Sequence, residues 1–459
     1  ILTRRPPRTT PVTPRRQRQM CIRDRNNIVI SIGDDGRITA IEDADNAESN
    51  ACRFVAVPGM INVHSHAFQR GFAGLSEYRT GSQDSFWTWR RLMYDFVERM
   101  TPKKVFVIAR HLYLEMLTAG YSWVGEFHYL HRMAGGSSAN DMTDAIYAAA
   151  GDAGIGLCHL PTLYQRGGFA NQHLSGGQCQ FELNSQSFIE LVERCHSEWA
   201  ANPIAKLGIA LHSLRAVEAT AGGDVIDQLT KSVGNFPIHI HVAEQTKEVD
   251  DCLATHGIRP VQFLMNRFDV DQRWCLIHAT HLNDEEVRQI AKSNAVVGLC
   301  PTTEANLGDG LFRATDYVQH DGRLAIGSDS HCSVDLREEL RILEYGQRLQ
   351  TRSRAVLGTE QQSVGRRLYE AAAAGGAQAI GIEAGSIQVG HRADFTLIDP
   401  DHRAIAGATG DRLLDRLVFT NAGNPVAGVV LGGELTETKT EAFQATLAKS
   451  SREFAKAIL

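Results

Sequence analysis

The sequence predicts an α/β chain: a parallel (β/α)8 TIM-type barrel with a small β-sandwich domain built from both chain ends. Three observations carry this reading. Eight short apolar runs alternate with amphipathic segments between residues 57 and 375, the pattern of a parallel sheet closed on itself under a ring of helices. Most of those runs end in His, Glu or Asp, at the rim where such a barrel builds its active site. Short strand-like stretches separated by turn residues flank the body on both sides.

The composition fits such a body. The chain has 459 residues, 43% hydrophobic and 22% charged, enough for one large core and a smaller one. A net charge of −6, spread along the chain, gives no basis for a nucleic-acid or anionic-membrane partner. No apolar run is long enough to span a bilayer. The nine cysteines form no CxxC pair. Cys158, Cys275 and Cys300 lie inside apolar runs and read as small buried hydrophobes, which fits a reducing cytoplasm.

In chain order, residues 1–25 hold eight arginines and four prolines and lack both apolar periodicity and the continuous apolar run of a signal peptide. They read as a disordered basic tail or a non-native stretch. Residues 26–56 open the small β domain with a hairpin: 28–32, a Gly33-Asp34-Asp35-Gly36 turn, and 37–41. Residues 57–375 form the barrel. Its apolar runs are 55–66, 122–130, 156–163, 206–214, 237–243, 274–281, 295–301 and 323–329, with helical segments such as 102–119, 185–199, 248–268 and 283–292 between them. Residues 376–459 complete the small domain, with strands expected at 385–390, 393–398 and 426–431, and add a terminal helix.

The first barrel strand ends in His64-Ser65-His66, and a period of two puts both imidazoles on one face. Such a pair is common by chance on exposed strands. Here the fifth run ends at His241 and the eighth at Asp329. Apolar strands gain nothing in packing from such ends. His64, His66, His241 and Asp329 are therefore the candidate ligands of one metal. Three imidazoles and a carboxylate suit one Zn2+ per chain with an open position for water; Fe2+ or another divalent ion suits the same donors. The fourth strand ends in His212 rather than a lysine able to bridge two metals, which favours one ion. Glu244, His278 and Asp329 stand at the same rim as candidate proton carriers. Arg90 and Arg215 offer guanidinium forks for carboxylates. The ordinary alternatives are a helix-cap role for Arg90 and packing roles for Tyr129, Trp87 and Trp89, the two tryptophans serving equally well as a lid.

The motifs PGMINVHSHAFQR at 58–70, HVAE at 241–244, IHATHL at 277–282 and GSDSH at 327–331 resemble the amidohydrolase superfamily in its deaminase branch. DSFWTWR at 84–90, EFHYLH at 126–131, LHSLRAV at 211–217 and CPTTEANLG at 300–308 resemble its formimidoylglutamate deiminase group. The resemblance runs from about residue 27 to the C-terminus. It implies hydrolysis of N-formimino-L-glutamate to N-formyl-L-glutamate and ammonia in histidine degradation. It implies the same four metal ligands, Glu244, His278 and Asp329 as the proton-transfer set, and Gln69, Arg90, Tyr129, His212 and Arg215 as substrate contacts. It also implies a homodimer. A nucleobase deaminase or an enzyme for another amidine on the same scaffold is the alternative, and a catalytically silent assembly protein is a more distant one.

Overall fold

The computed structural model describes residues 18–22, 25–43, 54–78, 86–136 and 138–458. Most of the basic segment 1–25, and the side chain of Trp87, lie outside them. Sixteen strands form two sheets among the described residues.

The strands are β1 (Arg18–Ile22), β2 (Arg25–Ile32), β3 (Ile38–Asp43), β4 (Val55–Pro58), β5 (Met60–Ser65), β6 (Tyr121–His128), β7 (Gly156–Leu163), β8 (Ala205–Leu207), β9 (Ile209–Ser213), β10 (Ile238–Val242), β11 (Trp274–His278), β12 (Val296–Leu299), β13 (Arg323–Ile326), β14 (Phe395–Ile398), β15 (Val426–Leu431) and β16 (Glu434–Glu437). The first sheet runs β16-β15-β14-β4-β1-β2-β3 and unites both chain ends. The second runs from β13 through β12, β11, β10, β9, β7 and β6 to β5, with β8 beside β7. A parallel bridge between Ser65 and Asp329 joins its two edges. Together β8 and β9 make one stave, so the barrel has eight. Its strands are buried on both faces by the surrounding helices, and for that reason they read as continuous apolar runs.

The structure departs from the sequence expectation at four places. The run 55–66 is two strands in two sheets: Gly59 breaks it, donating its N–H to the Asp394 carbonyl at 2.9 Å. A side chain there would lie 2.6 Å from Ser122 Oγ, so only glycine fits the crossing. The segment 248–268 is two helices, Thr246–His256 and Pro260–Arg267, because Gly257 adopts φ 73° and ends the first. Residues 385–390 form turns rather than a strand. Residues 18–22, inside the segment expected to lack structure, form β1, which pairs antiparallel with β2 and parallel with β4. Backbone ladder bonds hold it, and these leave no trace in an arginine-rich composition.

The terminal sheet folds over itself. Ile28, Ile30 and Ile38 share a separate core with Phe395, Leu397 and Val430. Val57, Ile398, Val429 and Leu431, on the other face, join the barrel core. The chain closes with the helix Glu441–Ile458. Cys158, Cys179, Cys195, Cys252, Cys275, Cys300 and Cys332 are free, all but Cys179 and Cys332 being buried. No helix among the described residues is long and apolar enough to cross a membrane.

Candidate active site

The strand ends converge as the barrel geometry requires. His64, on β5, is fully buried, and His66 follows one residue past the strand. His64 Nε2 stands 3.0 Å from His241 Nε2 and 3.4 Å from Asp329 Oδ1; His66 Nε2 stands 3.3 Å from that same oxygen. Donors around a four-coordinate zinc ion, each about 2.0–2.1 Å from it, sit about 3.3 Å apart. These three separations match that spacing: His64, His66 and Asp329 lie close enough together to hold one ion, as do His64, His241 and His278.

The hydrogen bonds behind these ligands point the same way. His66 donates Nδ1–H to the Phe127 carbonyl and His241 donates Nδ1–H to the His212 carbonyl, both at 2.8 Å. Each tautomer is thereby fixed with its Nε2 lone pair facing inward, as metal-ligating histidines require. Burial, reinforced at His64 and His241 by neighbouring imidazoles, holds all three ring pKa values below the ordinary range. They stay neutral and ready to donate lone pairs. Cys300 lies close to His278 and Asp329, but burial pushes its thiol well up, so it stays protonated and is a poor ligand.

The second group of residues surrounds His278. Its Nε2 lies 3.7 Å from Asp329 Oδ2 and 3.9 Å from Glu244 Oε1; its Nδ1 lies 3.3 Å from Glu304 Oε1. Burial opposes its charging, but the Glu244, Glu304 and Asp329 carboxylates overcome this and raise the imidazole to about 10. Burial, with Asp329 and Glu248 nearby, lifts Glu244 to about 7. One group that holds a proton and one poised near neutrality make a proton-transfer pair. A divalent cation at the adjoining ligands pulls both values down.

The backbone at this rim is strained. Ala243, His278, Ala279 and Asp329 all have positive φ, between 47° and 67°. Non-glycine residues in this region cost roughly 1–3 kcal/mol each and persist where the surroundings hold them. Glu248 does so for the fifth stave by accepting the N–H groups of Ala243 and Glu244 at 3.2 and 3.3 Å.

A cavity opens above the cluster. His66, Gln69, Arg90, Tyr129, His212, Arg215, His241, Glu244, His278 and Asp329 all line it. Gln69 Nε2 donates to Tyr129 Oη at 2.7 Å. Arg90 Nη2 donates to Tyr164 Oη at 3.1 Å, and its guanidinium lies 5.3 Å over the Tyr94 ring. Arg215 is nearly buried at 6% exposure. Trp89 also borders the cavity and packs on Phe72. Lys206 begins the fourth stave and His212 stands near its other end.

Sequence reasoning passed over Glu304, Glu248, Tyr164 and Gln178. Glu304 lies in a motif already singled out, CPTTEANLG, and follows the seventh apolar run by three residues. That placement was its one available signal. Tyr164 meets Arg90 and Gln178 only through folding, and Glu248 and Gln178 take their roles from backbone turns that carry no motif.

Comparison with known proteins completes the description. The model of the amidohydrolase family matches residues 55–436. A formimidoylglutamate deiminase from Pseudomonas aeruginosa is 48% identical over 412 residues, 89% of this chain and 90% of that protein. The crystal structure of an amidohydrolase from Brucella melitensis superposes with a TM-score of 0.87 at 42% identity, over 96% of this chain and 99% of that one. A zinc-bound adenosine deaminase from Xanthomonas campestris shares the fold at 20% identity, with a TM-score of 0.76 over 94% of this chain and 93% of that one.

Proposed function

This chain belongs to the amidohydrolase family, and from that premise we propose that it hydrolyses N-formimino-L-glutamate to N-formyl-L-glutamate and ammonia, a step of histidine degradation. One observation carries the substrate choice. The cavity beside the histidine–aspartate cluster holds two arginines, Arg90 and Arg215, and the relative of 48% identity is a formimidoylglutamate deiminase. A glutamate derivative brings two carboxylates, and each guanidinium fork matches one. A nucleobase would call instead for amide readers.

We assign His64, His66, His241 and Asp329 as ligands of one Zn2+. When bound there, the ion supplies a water acidic enough to be hydroxide near neutral pH. Asp329 presents Oδ1 to the ligand histidines and Oδ2 toward His278, so its second oxygen is placed to take the water proton. His278, held cationic by the carboxylates around it, is placed to hydrogen-bond the hydroxyl oxygen of the tetrahedral intermediate, while the electron pair displaced by addition goes to the imine nitrogen, which takes up a proton. Glu244 carries protons to the amidine nitrogen, so that ammonia rather than an amide anion leaves. Arg215 and His212 hold the near end of the substrate, and Gln69 and Tyr129 border the same cavity wall.

The test is ammonia release from N-formimino-L-glutamate by purified protein, with zinc measured on the same sample. Release with about one zinc per chain supports the reading. Zinc without release on this substrate, but with release from a nucleobase or another amidine, rejects it.

A further inference from the structure

Resting on the dicarboxylate reading above, we infer that Tyr164 is a specificity-determining donor to the side-chain carboxylate of the substrate, aimed by Arg90 and Gln178. Tyr164 directly follows β7, its ring is buried, and it lines the cavity. Its phenol oxygen accepts Nη2–H of Arg90 and Nε2–H of Gln178, both at 3.1 Å. Neither donor can reverse. Arginine has no acceptor. The Gln178 amide is fixed by its other end, where Oε1 accepts the Ser175 N–H at 3.2 Å and the Ser175 hydroxyl at 3.4 Å. With two bonds accepted, the phenol oxygen has only its O–H left to give. Among the described residues no carbonyl or carboxylate takes that hydrogen. The ring is clamped edge-on by His212 at 4.5 Å and by Phe181 at 5.6 Å, so the hydroxyl stays in place.

The order of the two arginines identifies which carboxylate it meets. Both guanidiniums reach His212, but only Arg215, directly past the fourth stave, also reaches the carboxylates Glu244 and Glu248 beside the reacting centre. Arg90 instead bonds Tyr164 Oη at 3.1 Å and lies over the Tyr94 ring. In the substrate the α-carboxylate sits one carbon from the amidine nitrogen, and the side-chain carboxylate lies two methylenes further out. The inner guanidinium matches the first and the outer one the second. Arg90 and Tyr164 themselves then present only donors to the outer carboxylate, and the Tyr94 hydroxyl beside Arg90 is able to donate as well. A carboxylate satisfies it, whereas a carboxamide must turn an NH2 toward donors. Tyr164 thus separates glutamate-type from glutamine-type substrates.

The experiment compares wild type and Tyr164→Phe on N-formimino-L-glutamate and on N-formimino-L-glutamine, and measures binding of N-formyl-L-glutamate by calorimetry. With the diacid, KM should rise about tenfold while kcat stays within about threefold, because a donor to a charged group is lost from ground and transition state alike. N-Formyl-L-glutamate binding should weaken by a similar factor, and kcat/KM for the glutamine analogue should not move. Gln178→Met should raise KM less and add nothing in the double variant, since both act on one hydroxyl. Equal losses on both substrates, a loss confined to kcat, or unchanged diacid kinetics would overturn the proposal. If the wild type turns over neither compound, the iminohydrolase reading falls. Weaker N-formyl-L-glutamate binding in Tyr164→Phe then still upholds the Tyr164 assignment, and unchanged binding rejects it.

Discussion

Glu304 Oε1 faces His278 Nδ1 at 3.3 Å while also accepting the Cys300 N–H at 2.8 Å. The carboxylate is thus fixed by the backbone of one stave and orients the imidazole of its neighbour. Glu304→Gln keeps the backbone acceptor but removes the charge. The His278 pKa should fall, since one of the carboxylates raising it is gone. We expect turnover to drop about tenfold, with the alkaline limb of the rate profile moved to lower pH. A profile superimposable on wild type would remove Glu304 from the mechanism.

Glu244→Gln tests the proton carrier itself. The variant should bind zinc normally, because Glu244 is not among the proposed ligands. Its turnover should fall at least about a hundredfold. Metal analysis and ammonia release on one preparation decide the matter, and near-normal turnover rejects the role.

The carboxylate clamp is separable from the chemistry. Arg215→Met should weaken substrate capture, lowering kcat/KM at least about a hundredfold, mainly through KM. An unchanged specificity constant would show that the inner carboxylate is held elsewhere.

Removal of the metal gives a fourth expectation. Dialysis against a chelator should abolish ammonia release, and one equivalent of Zn2+ should restore it. In His241→Asn, which loses a donor aimed by the His212 carbonyl, the restoring concentration should rise about 10-fold or more. Retention of full activity after metal loss, verified by elemental analysis, would contradict the ligand assignment.

A fifth prediction concerns acid stability, away from the catalytic cluster. His131 and His159 are fully buried, and burial lowers them to about 4 and about 3. Both ring nitrogens of His159 lack a hydrogen-bond partner. Their folded pKa values lie below the ordinary 6.5, so the unfolded chain binds protons first as pH falls. The stability they allow is complete above about pH 6.5 and declines below it, by on the order of 1–2 kcal/mol each near pH 5. Urea midpoints at pH 8 and pH 5 should show the decline, and His159→Phe should reduce it. An identical pH slope in the variant would rule out this source.

The sequence revealed the barrel and its rim because both leave linear traces. Staves buried on two faces are apolar runs, and rim residues are the polar groups that end them, as His241 and Asp329 do. What escaped was what folding alone creates. Gly59 continues a run on paper yet divides it between two sheets in space. Gly257 and Pro260 did carry a stop signal, which was outweighed by the helical pattern on either side. Tyr164 and Arg90 are 74 residues apart and Glu304 lies 26 beyond His278, so no local pattern joins them. β1, at the end of an arginine-rich segment, was hidden because a ladder of backbone bonds asks little of side chains.

The crossing at Gly59 has a bearing on how the molecule comes apart. β4 belongs to the sheet of the chain ends and β5 carries His64, with one residue between them. Tyr369 Oη, from a barrel helix, grips the Pro58 carbonyl at 2.9 Å beside that joint. The terminal sheet is therefore the mooring of the strand that carries His64 rather than an appendage. Peeling it away slackens the tether that sets the height of both histidines at the rim. Thermal melting of the ends and escape of a metal held at the proposed ligands should then be one cooperative event, and a protease cut among the terminal strands should be felt at the proposed site before the barrel itself opens.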